Sequence, residues 1–150
     1  MSVIWAVASL LSACSCDTST RINVAPSAAD KMDEILVAVE RLNEEIGMDV
    51  YSVQTVDSED VIDGQVIVRC QAELGRNSAH QTRVGRTKKT HDGVIVRIAS
   101  VASACAIAHE LGHAAGLEHV DDPTNLMYGV TAADRWGLNS SQLALLRTMD

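Results

Sequence analysis

The chain has 150 residues, a net charge of −8 and 47% hydrophobic content, which bounds it to one domain with a real hydrophobic core. The acidic balance disfavours a nucleic-acid partner, and no stretch approaches the ~20 apolar residues that span a bilayer. Phe is absent and aromatics are 3% of the chain, so the core must be built from Val, Ile, Leu, Ala and Met.

Residues Val3 to Leu11 are apolar apart from Ser9 and run into Leu11-Ser12-Ala13-Cys14. A short apolar run closing on small residues is a secretory signal pattern, and its Leu-Ser-Ala-Cys ending resembles a bacterial lipobox. That resemblance implies a signal peptide at residues 1–13, a lipid on Cys14, a tether at residues 14–20 and a domain at residues 21–150. A plain cleaved signal and a buried apolar strand are the other readings, since the leader has no Lys or Arg before its apolar run. The lipobox reading places the domain in the bacterial cell envelope, periplasmic or at the cell surface. Its only membrane contact would be through the lipid, and without the lipobox it would be secreted. Disulfides persist outside the cytoplasm. Cys16 falls in the tether as a free thiol. Cys70 and Cys105 either bridge strand to helix or remain two buried thiols.

Arg21 to Ala25 reads as a first strand. Ser27 and Asp30 have the spacing of a capping box. Met32, Ile35, Leu36, Val39, Leu42 and Ile46 follow at helical spacing, so a helix is expected over residues 28–46, closed by Gly47. Tyr51–Val56, Val66–Ala72 and Val94–Ile98 read as strands, with Val66, Val68 and Cys70 on one face and Val94, Val96 and Ile98 on one face. Residues 57–64 form an acidic turn region. Arg76, Arg83, Arg86, Lys88 and Lys89 make residues 76–89 the one basic stretch of the chain. It reads as a solvated loop with a charge-protected edge strand, or as a cleft rim favouring acidic substrate. His80 and His91 are taken as surface residues.

Three of the five histidines fall in His109-Glu110-Leu111-Gly112-His113-Ala114-Ala115-Gly116-Leu117-Glu118-His119. Two histidines four apart share a helix face and can grip one metal ion. Glu110 is about 100° around the helix from His109, so it can reach a water on that metal without being a ligand. A Zn²⁺ held by imidazoles activates such a water, and the carboxylate serves as general base and then as acid to the leaving amine. Gly116 can adopt a left-handed conformation, end the helix and let His119 return as third ligand. Cys105, four residues before His109, could also approach the metal, but a fourth protein ligand would close the position that catalysis needs.

His109 to His119 resembles the zinc signature of metzincin metallopeptidases. Asp122-Pro123-Thr124-Asn125-Leu126-Met127-Tyr128 resembles the segment found in matrixins, which include the matrix metalloproteinases. The resemblance covers residues 109–128. It implies an α+β fold with a twisted, mostly parallel sheet, an antiparallel edge strand, two packed helices and a C-terminal helix. It also implies one catalytic Zn²⁺ held by His109, His113 and His119, with Glu110 as catalytic residue and Met127 as the Met-turn floor. Part of residues 80–90 would lie along a bound peptide. The family's propeptide cysteine switch and long ion-binding insertion have no counterpart here.

Asn139 and Gln142 have capping-box spacing, and Leu138 with Leu143 fits a hydrophobic staple, so a last helix is expected there. The expected activity is that of a zinc endopeptidase, a monomer acting on peptide or protein substrates. The alternative is a non-catalytic zinc-binding envelope lipoprotein derived from a peptidase.

Overall fold

The structure, a computed structural model, describes residues 19–61, 63–79, 81–130 and 134–149. The expected signal peptide, Cys14, Cys16, most of the tether and His80 lie outside the described residues. Strands β1 (Thr20–Val24), β2 (Tyr51–Thr55), β3 (Gln65–Gln71), β4 (Gly85–Lys89) and β5 (Gly93–Ala99) form one sheet in the order β2-β1-β3-β5-β4. Neighbours are parallel except β4, which runs antiparallel to β5 at the edge. Helices α1 (Met32–Ile46), α2 (Ala104–Ala114) and α3 (Ser140–Arg147) join it. The mixed α/β architecture, with a five-stranded and mostly parallel sheet, agrees with the sequence reading. No helix among the described residues is long and apolar enough to cross a membrane.

The helices share one face of the sheet. There α1 buries Ile35, Ala38, Val39, Leu42 and Ile46 against Val66, Val68, Val96 and Ile98. Each such aliphatic side chain contributes about 1.5–3 kcal/mol when fully buried. The opposite face buries Ala25, Ile67 and Ile95 under Val56 and Val61 from the acidic segment after β2. Burial on both faces explains why β3 and β5 read as nearly continuous aliphatic runs.

Three local expectations need correction. Leu36, placed in the apolar stripe, is 47% exposed; it lies about 100° from Ile35, and Ala38 fills the interior instead. The expected helix from residue 28 is a 3₁₀ segment (Pro26–Lys31) followed by α1. Ser27 does not cap it, because its hydroxyl donates to Glu59 and accepts from the Cys70 amide. Of the two readings open for Cys70 and Cys105, the free thiols hold. The Cys105 thiol donates to the Arg135 carbonyl at 3.1 Å and is not part of the histidine cluster. Burial raises the pKa of both thiols, which keeps them protonated.

Helix α1 ends as expected at Gly47, with φ +80°. The Met48 amide bonds the Asn43 carbonyl and the Gly47 amide bonds that of Glu44, which is a Schellman closure. Helix α3 carries the predicted capping box between Asn139 and Gln142. From its last turn Arg147 donates Nε and Nη2 to the Ile46 carbonyl at 3.0 and 2.8 Å. This places a cation on the negative end of α1 and ties the two helices together. Arg147→Ala should therefore lower the unfolding free energy in urea by about 1–2 kcal/mol. Zinc affinity should be unaffected, and a matching loss of zinc would show that the anchor reaches the site.

Candidate metal centre and its cleft

The site is built on α2. Ser103 caps it, accepting from the Ala106 amide at 3.2 Å, and every residue from Cys105 to Gly112 is buried. Small side chains at Ala104, Ala106, Ala108 and Gly112 let the helix lie close to its neighbours. At Gly112 a Cβ would sit 2.6 Å from the Met127 sulfur, so this glycine gives the Met127 side chain its room. The helix stops where the sequence predicts. Gly116 has φ +97°, its amide bonds the His113 carbonyl at 3.0 Å, and the Leu117 amide bonds the Gly112 carbonyl at 2.9 Å. This closure reverses the chain and returns His119 to the helix.

The three imidazoles converge. His109 and His119 Nε2 are 3.2 Å apart, and His113 Nε2 is 3.1 Å from each of them. The far nitrogens explain this arrangement. His109 Nδ1 lies 2.7 Å from the Leu126 carbonyl, and His113 Nδ1 lies 2.8 Å from the Leu117 carbonyl. A carbonyl can only accept, so both Nδ1 atoms carry the hydrogen and both neutral rings present a bare lone pair at Nε2. Two lone pairs 3.1 Å apart with no proton between them repel unless a cation lies at their focus. Four-coordinate Zn²⁺ with bonds of ~2.0–2.1 Å puts its nitrogens roughly 3.3–3.4 Å apart. The triangle and its donor chemistry therefore fit zinc. The three histidines also leave a fourth position open.

The turn that carries Met127 packs against α2 at Gly112. The Tyr128 amide bonds the Asn125 carbonyl at 3.1 Å, while the Asn125 side chain accepts from the Met127 amide at 2.8 Å and donates to Gln142 of α3. The Val120 amide bonds the Met127 carbonyl at 3.0 Å, pinning the strand after His119 to this turn. Met127 is wholly buried. The turn thereby aims the Leu126 carbonyl at His109.

Glu110 sits between α2 and β4. Its Oε2 accepts from the Thr87 hydroxyl at 2.6 Å. A Cβ on Gly85 would come within 2.4 Å of its Cγ, so the strand needs glycine there for the carboxylate to pass. Burial raises the Glu110 pKa, with Thr87 and His119 opposing. Burial likewise lowers His109 to about 4, reinforced by the neighbouring histidines and opposed by the Leu126 carbonyl. Thr87, Gly85 and Gly112 were not identified from the sequence; each matters through a partner distant along the chain. His91 is exposed and belongs to no metal-binding cluster among the described residues.

Exposure grades across the site: His109 is buried, His113 half-buried and His119 exposed. The histidines and Glu110 open into a cleft of about 730 Å³, walled by β4 and the residues before it and by Gly129 and Val130.

No protein-family model matches the sequence, and no curated protein matches it. Solved structures do match. The archaemetzincin of Methanopyrus kandleri superposes with a TM-score of 0.62 at 10% identity, covering 89% of this chain and 97% of that one. A zinc-dependent peptidase of Methanocorpusculum labreanum gives 0.53 at 13% identity, covering 84% of this chain and 99% of that one. The chain thus has a zinc metallopeptidase fold of the metzincin-like kind.

Two outcomes test this geometry. Gly85→Ala should displace Glu110 from the Thr87 hydroxyl and speed hydrogen exchange of the β4 amides, while zinc content by metal analysis stays near that of the parent. The metal-free protein should also lose stability in acid. His109 stays neutral in the fold down to about pH 4, whereas the unfolded chain protonates it below about 6.5. Its contribution is therefore complete above pH 6.5 and is lost as pH falls toward 4, by up to roughly 3 kcal/mol. Urea midpoints that fall equally for the parent and His109→Gln across that window would contradict the assignment.

Proposed function

We propose that the protein is a zinc-dependent endopeptidase with Glu110 as its catalytic residue and His109, His113 and His119 as the metal ligands. The observation that carries this is the pairing of three convergent Nε2 atoms with a buried carboxylate, at the floor of a cleft beside a sheet edge. Zinc, when bound, supplies a Lewis acid that polarises the scissile carbonyl and makes a water nucleophilic near neutral pH. Glu110 takes the proton of the attacking water and passes it to the leaving amine. Thr87 holds Oε2, and no side chain among the described residues hydrogen-bonds Oε1. Burial raises the basicity of the carboxylate and so favours its taking the proton. The outer edge of β4 offers its backbone groups to an extended peptide. The segment Asp122 to Tyr128 supports a matrixin-like subtype, and the lipobox-like leader supports attachment to the cell envelope through Cys14.

A purely structural zinc site has no need to bury a carboxylate at the cost of its desolvation, which favours catalysis over the non-catalytic zinc lipoprotein. Glu110→Ala should keep one zinc and lose at least a hundredfold in kcat/KM on a mixed peptide library. His119→Ala should lose zinc as well. A zinc-loaded parent that cleaves nothing beyond what Glu110→Ala cleaves would leave the non-catalytic reading standing.

A further inference from the structure

We propose that the cleft selects acidic peptide segments, with Arg83 and Lys89 reading substrate charge on opposite sides of the scissile bond. The inference rests on the peptidase reading of the same site and names its substrate class. The chain has 20 acidic residues against 12 Lys and Arg, yet the charge of this cleft is reversed. Apart from its histidines, its charged lining residues are Arg83, Arg86, Lys89 and Glu110. Glu110 is buried and already holds the Thr87 hydroxyl. The open wall is therefore positive.

These cations have no counter-charge among the described residues. The ion pairs lie elsewhere, at Lys31–Glu34, Arg41–Glu44 and Arg69–Glu59. An unpaired guanidinium or ammonium beside a cleft is free to meet a ligand carboxylate.

The placement is specific. Side chains alternate along β4. Gly85 and Thr87 face Glu110 on α2, so Lys89 shares that face, and its Nζ lies 3.7 Å from where a Cβ on Gly116 would be. It thus stands past the histidines, at the end of the active helix. Arg83 precedes Gly85 by two residues, at the other end of the strand. The two lie six residues apart along the chain, a span of at most roughly 20 Å. A peptide along β4 would reach Lys89 with residues on one side of its cut bond and Arg83 with residues on the other. Protection of the edge accounts for other charges. Arg86 and Lys88 alternate to the other side of the strand, in register with Arg97 and Ile95, although Arg86 also borders the cleft. Protection requires neither Arg83 before the strand nor a lysine turned toward the end of α2.

The test uses the zinc-loaded full chain and matched peptides with Asp or Asn placed two and three residues to either side of the cut. The parent should prefer Asp by about twofold to fivefold on each side, and 0.5 M salt should shrink the preference. Lys89→Glu should abolish or invert the preference on one side and Arg83→Glu on the other, whereas Lys88→Glu should do neither. Binding of the same peptides to zinc-loaded Glu110→Gln reads the preference without turnover. Cleavage with no preference for Asp would overturn this inference alone. So would a Lys88→Glu effect as large as that of Lys89→Glu, since it would mark a diffuse field. An Asp preference in binding without cleavage by the parent would overturn the peptidase reading alone.

Discussion

Two hydrogen bonds from imidazole Nδ1 to backbone carbonyls, His109 to Leu126 and His113 to Leu117, govern the site. Each fixes a ring's rotation and its tautomer, and so decides which nitrogen is left bare for a metal. Both acceptors belong to chain that has already left α2. The Leu117 carbonyl is available because Gly116 reverses the backbone. The Leu126 carbonyl is available because Asn125 closes a tight turn and Gln142 of α3 holds Asn125. Sheet, turn and terminal helix thus meet in the orientation of two rings.

The sheet is arranged around the same need. With β4 antiparallel at the edge, Gly85 and Thr87 come beside Glu110, while the outer rim of the strand stays open. One strand therefore seats the carboxylate and forms an edge of the sheet. The small residues of α2 serve a parallel purpose, since Gly112 is where the Met127 sulfur meets the helix. A positively charged cleft in an acidic chain is possible because Glu110 is the one acidic residue among those lining it.

The elements were legible where periodicity is local and strong. The aliphatic runs of β3 and β5, the Gly47 and Gly116 stops and the Asn139–Gln142 box all appear at their expected places. The histidine spacing made the triangle readable because its members lie within eleven residues. Misreadings arose where a side chain had a better partner far along the chain. Ser27 looked like a cap but bonds Glu59 and the Cys70 amide. For Cys105 both a bridge and a free thiol were open locally, and only the distant Arg135 carbonyl shows that the thiol is free. Gly85 and Thr87 carry no local signal, since their role exists only once β4 lies against α2, 23 residues on from Thr87 to Glu110.

That difference in sequence distance divides the site into two cooperative parts. The ligand triangle closes within a short loop, whose ordering entropy is small. The seat of the carboxylate depends on a distant edge strand with one neighbour in the sheet. Edge strands belong to the low-stability end of a fold and open locally before the core does. On warming, release of β4 would therefore free Glu110 while the imidazoles remain gathered. Metal retention and hydrolytic competence would then have separate melting points, the second below the first.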